Sequence, residues 1–511
     1  MQPESISANG FDVPLAEFPP LAQPVEEASP TAITLEPLPA PPPAPAPAPK
    51  ALPVQPQERV AAVDVLRGVA LMGILAMNIV AFAWPEASYD NPRAGNNKST
   101  TDLVVWAFNH VVFDEKMMTI FSMLFGAGLV LMSGRSEARG AKLAGVYYRR
   151  VFWLLVIGLI HAYFIWWGDI LVLYASCGFL LYLFRRRQPR TLIATGLLCV
   201  LLPVILGTWF LVLVRMSNEY YWGIRGTPRV ILSTIGDPIN RQMAPDPARA
   251  MSRFEKEELA YRGSYWGIVR YRAPVLIKVQ TLEFVFVTLY MVGGRMLIGM
   301  GLMKLGVFTG QKSRRLYLWM IGLGYGIGLP MVAYDTWLRI SVDFHGAEMI
   351  ASRIVWGYLS ALAIAMGHIG LVMLIFQSGA LQWLTRRLAA AGRMALSNYL
   401  MQSIICTTLF YGYGCCLFGT MNRLELWGVV LAIWVFQLAT SIIWLNYFRY
   451  GPAEWVWRSL TYWKFQPMLA FAASPLPAAA SEAITTDPTS SVGYFGEVDA
   501  GSFGRPEHDG E

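Results

Sequence analysis

Long apolar runs are the feature that most restricts how this chain can fold. We identify ten of them as candidates to cross the roughly 30 Å hydrocarbon core of a bilayer as helices, with the second and fourth departing most from the usual length of a span. Their cores are Leu66–Trp84, Leu103–Ser133, Val151–Trp167, Ile170–Phe184, Leu192–Val214, Val279–Met303, Leu316–Trp337, Ile354–Gln377, Met394–Phe418 and Leu426–Tyr447. Because a helix satisfies its own backbone hydrogen bonds in lipid, these runs predict an all-α polytopic membrane protein with about ten spans in one bundle.

Positive charge is concentrated in alternate short loops. One set of loops carries Arg135, Arg139, Lys142, Arg149, Arg150, Arg185, Arg186, Arg187, Arg190, Lys312, Arg314, Arg315, Arg386, Arg387 and Arg393. The other set carries only a few, such as Arg93, Lys98, Arg339 and Arg423. Lysine and arginine favour the cytoplasmic side, which predicts that both termini are cytoplasmic. The net charge of +7 reflects these loop clusters, so nucleic-acid binding is not predicted.

The segments outside the apolar runs differ in composition. Residues 1–57, which include a Pro- and Ala-rich run, and residues 467–511 predict disordered tails. Residues 58–447 form the predicted bundle, and residues 448–466 mix Trp and Tyr with Arg and Lys, as interfacial amphipathic helices do. The five cysteines show no metal-ligand spacing, so no metal site is predicted. The oligomeric state stays open.

A long polar insert, residues 215–278, interrupts the bundle on the predicted outer side. It is too long for a passive connection. Its second half carries Phe254, Leu259 and Trp266 among charged residues, which predicts an amphipathic helix at the membrane surface. That helix either closes over an outer cavity as a lid or belongs to a solvated loop.

The segment GLIHAYFIWWGDILVLYASCG places His161 inside an apolar helix and Asp169 in the bend that follows. A continuous helix would put His161 roughly 10 Å below the helix end, with Trp166 and Trp167 at the interface and Asp169 at the outer mouth. An ionisable group at membrane depth indicates a functional site, and a histidine with a carboxylate partner can act as a general base. Alternatively, His161 bonds to a backbone carbonyl and Asp169 caps the next helix.

Asp64 and Arg67 lie three residues apart at the inner end of the first run, on one helical face where they can pair. They form either an interfacial ion pair with a snorkelling arginine or a donor-side site in which Arg67 binds the phosphates of a cytoplasmic ligand such as coenzyme A. Asn78, deeper in the same helix, either joins helices or forms the polar wall of a cavity.

The second run contains the charged residues Asp114, Glu115 and Lys116, which would be costly in a regular span. We therefore expect a broken or partly re-entrant helix at this position. His110 precedes these charges near the outer side, and a structural or solvated role at the interface is the favoured interpretation.

Further polar residues lie in the sixth run and around the start of the ninth. Glu283 and Arg295 are separated by roughly 18 Å of helix, so they cannot pair and each requires another partner or water. In the ninth run, Asn398 and Gln402 are one turn apart, with Arg393 just beneath them. This polar stripe either lines a substrate route or joins helices.

Three parts of the chain resemble the YeiB-like family, also called domain of unknown function 418. They are VDVLRGVALMGILAMNI, LIHAYFIWWGDILVLYASCG, and GRMALSNYLMQSIICTTLFYGYG with FRYGPAEWVWRSLTY, so the likeness covers about residues 59–464. The family is grouped by similarity with transmembrane acyltransferases, which include heparan-glucosaminide acetyltransferases and the glucan and lipopolysaccharide O-acyltransferases. Members have also been described as candidate transport proteins.

In such acyltransferases, a cytoplasmic acyl-CoA meets an acceptor from the other side of the membrane, and a histidine assists the attack. The resemblance therefore implies His161 as the base, Asp169 as its orienter or a gate, and Asp64 with Arg67 on the donor side. The acyltransferase relatives carry both an arginine and a histidine in the first helix region, where this chain has Arg67 and no histidine.

We accordingly expect a bacterial inner-membrane acyltransferase that uses acyl-CoA as co-substrate and a hydroxyl or amine of an envelope glycan or lipid as acceptor. Two alternatives stay open. A multi-pass transporter of a small molecule would use the buried residues His161, Asp169, Glu283 and Arg295 as an ion relay. A noncatalytic membrane scaffold would use the same polar groups to join helices.

Overall fold

The computed structural model describes residues 60–94, 99–222, 253–344 and 352–470. The predicted N-terminal tail, nearly all of the predicted C-terminal tail and the middle of the outer insert lie outside these residues. Within the described ranges the secondary structure is helical, apart from one isolated bridge between Phe448 and Leu469.

The described chain forms sixteen α-helices. In chain order they are α1 (Ala61–Ala83), α2 (Ala87–Asp90), α3 (Thr100–Val112), α4 (Lys116–Ala138), α5 (Ala144–Ile160), α6 (Leu171–Leu181), α7 (Pro189–Trp222), α8 (Arg253–Tyr261), α9 (Tyr265–Lys278), α10 (Leu289–Lys304), α11 (Arg314–Ser341), α12 (Tyr358–Ser378), α13 (Gln382–Arg393), α14 (Ala395–Phe410), α15 (Arg423–Tyr447) and α16 (Pro452–Tyr462). Segments of π-helix cover His161–Ile165, Val279–Thr288 and Arg353–Gly357, and short 3₁₀ turns cover Tyr182–Phe184 and Val307–Thr309.

Seven helical stretches in the described residues are long and apolar enough to cross a membrane. They are Ala61–Ala83, Thr100–Ala138, Ala144–Ile165, Pro189–Trp209, Arg314–Ser341, Arg353–Ser378 and Arg423–Tyr447. The predicted all-α membrane class is therefore confirmed. Of the other three predicted runs, the fourth is the shorter apolar helix Leu171–Phe184, the sixth divides between a π-helical segment and α10, and the ninth is mainly α14.

The second span is interrupted where the sequence places its charged residues. The α3 helix ends at Val112, α4 begins at Lys116, and Glu115 between them has a left-handed backbone with φ of 61°. The Lys116 ammonium turns back to donate to the His110 carbonyl at 2.5 Å. The break that the charges predict is thus present in the backbone.

The ninth predicted run is too long at its end. The α14 helix stops at Phe410 and the chain turns, with Gly414 N–H donating to the Tyr411 carbonyl at 2.9 Å. Gly412 N–H donates to the Tyr261 carbonyl of α8 at 2.9 Å. Backbone N–H groups in an irregular segment of a membrane protein need hydrogen-bond acceptors. The Tyr261 carbonyl of the insert is such an acceptor for this turn.

The first helix is nearly completely buried, and two glycines bring it against α13. A Cβ atom on Gly68 would lie 2.1 Å from the Leu388 carbonyl oxygen, and one on Gly392 would lie 2.0 Å from the Asp64 carbonyl oxygen. Only glycine permits the two backbones to approach so closely. The contact places the start of α1 beside the end of α13.

One end of the bundle collects the arginine-rich loops, and we call it the basic end. The α1, α5 and α14 helices begin at this end, and α4 ends there. The α16 helix packs on α5 at the basic end, since Trp457 Nε1 donates to the Arg150 carbonyl at 2.8 Å and Arg149 Nε donates to the Thr461 carbonyl at 2.9 Å. It occupies the segment where the sequence predicts an interfacial helix.

Candidate functional site

Three buried side chains, Asp169, His161 and Ser403, form a continuous hydrogen-bonded chain. His161 Nδ1 lies 2.7 Å from Asp169 Oδ2, and His161 Nε2 lies 2.9 Å from Ser403 Oγ. The imidazole is 1% exposed. In the tautomer that carries its proton on Nδ1, the imidazole donates to the Asp169 carboxylate and its Nε2 can accept the serine hydroxyl. This order of groups is that of a Ser-His-Asp triad.

The backbone around His161 departs from a regular helix. After α5 ends at Ile160, residues His161–Ile165 form a π-helical turn, and Trp166 N–H closes it on the His161 carbonyl at 2.8 Å. Gly158 lets the chain fold back, since a Cβ there would lie 2.7 Å from the Val172 nitrogen. The prediction of a regular helix as far as Trp167 is therefore wrong, and the reversal brings Asp169 onto His161.

Asp169 serves two groups at once. Its Oδ2 faces His161, while its Oδ1 accepts the Val172 N–H at 2.7 Å, in the first turn of α6. The two roles considered for it, orienting the histidine and capping the next helix, are thus combined. Its predicted position at an open mouth is wrong, because the side chain is 1% exposed. Trp166 is likewise buried within the protein, stacked on Phe82 at 3.9 Å between ring centroids.

The described part of the outer insert packs on the bundle beside this site. Arg272 of α9 is 2% exposed and donates to the Tyr163 carbonyl at 2.5 Å and to the Ile165 carbonyl at 2.9 Å. These carbonyls belong to the π-helical turn, where terminal groups need partners. In α8, Tyr261 stacks on Phe418 at 4.8 Å. Both described helices of the insert therefore contact protein.

A cavity of about 270 Å³ reaches from the basic end toward His161. Its inner walls are apolar and include Phe121, Leu124, Phe125, Leu129, Leu154 and Leu171. Tyr399 lines its deep part, and the tyrosine ring lies 5.1 Å from the His161 ring between centroids. The Tyr399 hydroxyl accepts the Ile170 N–H at 3.3 Å. Tyr399 therefore borders both the cavity and His161, which is not itself a lining residue.

The cavity is strongly positive. Its lining contains Arg67, Arg135, Arg139, Arg150, Arg393 and Arg458, but only two carboxylates, Asp64 and Glu454. Arg67 pairs with Asp64 at 2.8 Å, as the three-residue spacing predicts. Arginines thus outnumber carboxylates in the lining, which favours an anionic occupant because guanidinium groups bind phosphate and carboxylate strongly.

Two residues of the lining, Arg393 and Glu454, illustrate how little negative charge is available to the arginines. The Arg393 Nε atom is buried and has no hydrogen-bond partner in the described chain, and burial lowers the pKa of this guanidinium. The Glu454 side chain is hydrogen-bonded to the start of α14, where its carboxylate accepts the Leu396 N–H at 2.6 Å and the Ser397 hydroxyl at 2.5 Å. Burial raises the pKa of Glu454, which further limits the negative charge it offers to the arginines.

Asn398 and Gln402 join helices instead of lining the cavity. Asn398 Nδ2 donates to Ser441 Oγ at 3.0 Å, and Gln402 Nε2 donates to Gln437 Oε1 at 2.8 Å, so both residues connect α14 to α15. Of the two roles that the sequence left open for this stripe, the structure shows the joining of helices. Asn78 is also buried, in α1, and does not line the cavity.

A second group of polar residues lies in the half of the bundle away from the basic end. We call Asp90, His110, Asp335, Arg339 and Arg353 the charge cluster. His110 Nε2 lies 2.8 Å from Asp335 Oδ2, Arg339 Nε lies 3.1 Å from Asp335 Oδ1, and Arg353 Nη1 lies 2.7 Å from Asp90 Oδ2. His110 is 7% exposed, so a solvated position for it is wrong.

Arg295 pairs with a residue that the sequence did not assign to it. Its Nη1 lies 3.0 Å from Glu115 Oε2, at the break between α3 and α4. The guanidinium is 1% exposed, and its Nε and Nη2 atoms have no hydrogen-bond partner among the described residues. The Glu283 side chain lies outside the described residues. Within the described chain, Arg295 thus pairs with Glu115 and makes no contact with His161 of the kind that the ion relay of a transporter would use.

Sequence reasoning missed Ser403 and Asp335. Ser403 directly follows Gln402, and nothing in an apolar helix indicates which of several polar side chains will face a histidine 242 residues away. For Asp335 a signal existed, since a single acid in an apolar run with Arg339 four residues later is a buried ion-pair pattern. In the described part of the chain, no three His, Cys, Asp or Glu residues are grouped to hold a metal ion.

The spans and the buried polar site define a polytopic helical membrane protein with an arginine-lined cavity. The family model described as "Protein of unknown function (DUF418)" matches residues 302–464, which include Tyr399 and Ser403. Uncharacterized protein YeiB of Escherichia coli (strain K12) is 31% identical over 79% of this chain and 96% of its own length. Uncharacterized protein YxaH of Bacillus subtilis (strain 168) is 30% identical over 81% of this chain and 97% of its own length. The chain belongs to this YeiB-like DUF418 family.

Proposed function

We propose that this protein is a membrane acyltransferase that moves an acyl group from acyl-CoA to a hydroxyl or amine of an envelope glycan or lipid. The observation that carries the proposal is the position of His161, held between Asp169 at 2.7 Å and Ser403 at 2.9 Å beside the deep end of the basic cavity. Acyl transfer requires a base that is held in one tautomer close to the thioester.

The chemistry follows from the two nitrogens of His161. Asp169 holds the proton on Nδ1, so Nε2 points its lone pair at a hydroxyl group. An attacking hydroxyl or amine gives its proton to Nε2, and the carboxylate stabilises the imidazolium that forms. Proton transfer of this kind contributes on the order of 10²- to 10⁴-fold to a rate.

The cavity supplies the features that an acyl-CoA requires. Its excess of arginines suits the phosphates of the nucleotide, and its apolar walls suit an acyl chain. Arg67 keeps 28% of its side chain exposed beside Asp64, which supports its proposed role in phosphate binding. With the nucleotide at the basic end, the thioester extends toward Tyr399 and His161.

The proposed orientation puts the basic end and both termini in the cytoplasm of a bacterium, with the bundle in the inner membrane. Acyl-CoA is cytoplasmic, so it enters at the basic end. The acceptor then approaches from the opposite face, past α9 and the Arg272 contacts that cover the His161 turn. This arrangement carries the acyl group across the bilayer.

The test is transfer of a labelled acyl group by purified full-length protein to envelope lipid and glycan fractions, with acyl-CoAs from acetyl to palmitoyl as donors. His161→Gln should lower transfer by about 100-fold or more, since the base is lost. The matched control is His368→Gln, because His368 is satisfied by the Tyr325 hydroxyl at 2.7 Å and the Val112 carbonyl at 3.1 Å. Undiminished transfer by His161→Gln, or no donor turnover by the wild type, would sink the proposal.

Transport of a small molecule coupled to proton movement is the second candidate, and the charge cluster favours it. Asp335 is fully buried against both His110 and Arg339, and buried titratable groups at membrane depth often mark ion pathways. Transport predicts accumulation of substrate in sealed vesicles without an acylated product. Asp335→Asn should then abolish dependence on a pH gradient, whereas it should leave acyl transfer measurable if the enzyme proposal is correct.

A further inference from the structure

We propose that Ser403 is the nucleophile of this protein and carries the acyl group as an ester before the acceptor receives it. This inference rests on the proposed acyltransferase function and deepens it. It replaces direct attack by the acceptor with two successive transfers, both assisted by His161.

The hydrogen-bond geometry supports a nucleophilic serine. Ser403 Oγ lies 2.9 Å from His161 Nε2, and His161 Nδ1 lies 2.7 Å from Asp169 Oδ2. The same hydroxyl is 3.4 Å from the Tyr399 carbonyl, a longer and weaker contact. The shorter contact favours donation from the Ser403 hydroxyl to Nε2 in the tautomer that carries its proton on Nδ1, the arrangement of activated serine nucleophiles.

The hydrogen-bond partners of His368 differ from those of His161 and are typical of a histidine that only joins helices. His368 is also surrounded by protein, and its nitrogens are satisfied by the Tyr325 hydroxyl at 2.7 Å and the Val112 carbonyl at 3.1 Å, without any carboxylate. His161 instead holds a buried carboxylate on one nitrogen. A carboxylate on Nδ1 is useful beside an imidazole that must become charged during a reaction.

Ser403 is also placed along the route from the cavity. Tyr399 lines the deep part of the cavity, and Ser403 lies four residues later in α14, so both are on one helical face about 6 Å apart along the axis. The proposal requires the Tyr399 side chain to move aside, so that the cavity reaches the serine. A thioester that extends beyond Tyr399 therefore meets Ser403 before it meets an acceptor on the far side.

A donor for the developing oxyanion is present in the same region. Trp166 is 1% exposed, and its ring centroid lies 6.4 Å from that of His161. Its Nε1 atom is buried and has no hydrogen-bond partner among the described residues. A buried N–H without a partner is unusual in a packed core, and an oxyanion would satisfy it.

Acyl transfer by this route takes two steps. Ser403 Oγ attacks the thioester carbonyl carbon and its proton passes to His161 Nε2; the C–S bond then breaks, and the leaving thiolate takes that proton and departs as CoA. In the second step the acceptor hydroxyl or amine gives its proton to His161 and attacks the serine ester. The bond from Ser403 Oγ to the acyl carbon breaks, and His161 returns the proton to the serine.

The test uses full-length protein in detergent and acetyl-CoA radiolabelled in the acetyl group, without acceptor, followed by peptide mapping. We expect about one label per chain on the peptide that contains Ser403, stable to neutral hydroxylamine, and release of an equal amount of CoA. Ser403→Ala should reduce the label at least tenfold. Ser403→Cys tests the same position without loss of a nucleophile, and its label should become sensitive to hydroxylamine, as thioesters are.

Two controls address the neighbouring groups. Ser441→Ala removes another buried serine, one that is bonded to Asn398, and should leave the label unchanged. Cys406→Ala removes the buried thiol three residues further along α14 and should also leave it unchanged. If the wild type transfers acetyl to acceptor while Ser403→Ala keeps most of that rate and no label forms, the serine proposal is overturned and direct transfer stands. If the wild type turns over no acyl-CoA, the proposed function fails with it.

Discussion

A single carboxylate, that of Asp169, holds both His161 Nδ1 and the Val172 N–H, each at 2.7 Å. It therefore links the orientation of the imidazole to the start of α6. Because the two contacts use different oxygens, they can be separated by substitution. An asparagine keeps one oxygen for the backbone N–H and presents an amide donor to the histidine.

Asp169→Asn should consequently lower acyl transfer by roughly 10³- to 10⁴-fold, since the histidine is left in the wrong tautomer to accept a proton. The fold should survive because the amide oxygen still receives Val172 N–H. The measurement is the transfer rate together with the melting temperature of the same preparation. A variant that loses activity only in proportion to loss of folded protein would contradict the tautomer role.

Arg67→Ala should weaken binding of both acetyl-CoA and free CoA by about tenfold or more, because hydrogen bonds to charged groups contribute roughly 1.5–3 kcal/mol. Calorimetric titration of detergent-purified protein measures this directly. Arg386→Ala is the matched control, since Arg386 is exposed on α13 and does not line the cavity. Equal affinities of the wild type and the Arg67 variant for these ligands would contradict the proposal that Arg67 binds the phosphates of the acyl donor.

Gly392→Ala should destabilise the bundle at the contact of α13 with α1. The added Cβ would lie 2.0 Å from the Asp64 carbonyl oxygen, which is backbone and cannot move independently. Overpacking of this kind typically costs about 1–3 kcal/mol. Gly428→Ala in α15 is the control, because a Cβ there meets nothing within 4 Å. The two variants should differ clearly in melting temperature; similar values would show that α1 and α13 separate easily.

Glu454 predicts a pH dependence of stability. Burial raises the pKa of its carboxyl in the folded protein above the ordinary value of 4.5, so the fold favours the protonated form. Its stabilising contribution is complete below that ordinary value and is lost as the pH rises through the folded pKa. The wild type should therefore lose melting temperature relative to Glu454→Gln as the pH increases from about 4 to about 8. A difference that is independent of pH would contradict the raised pKa.

Much of the membrane architecture follows from local patterns that the chain carries by itself. Apolar runs predict spans because a helix satisfies its own backbone hydrogen bonds in lipid. The charged residues Asp114, Glu115 and Lys116 predict the break between α3 and α4 because charge is costly in lipid. The Asp64 and Arg67 pair follows from three-residue spacing. The π-helical turn after Ile160 has no such signal, so a regular helix was expected there.

The sequence alone determined the family and the all-α membrane class, and it singled out the segment with His161 and Asp169 as a candidate site. Only the tertiary structure decided that Ser403 faces the histidine, that Asn398 and Gln402 join helices, and that Arg295 pairs with Glu115. The reason is physical. Hydropathy and spacing act within one helix, whereas the face that a polar side chain presents depends on how neighbouring helices rotate and pack, and those contacts join residues hundreds of positions apart.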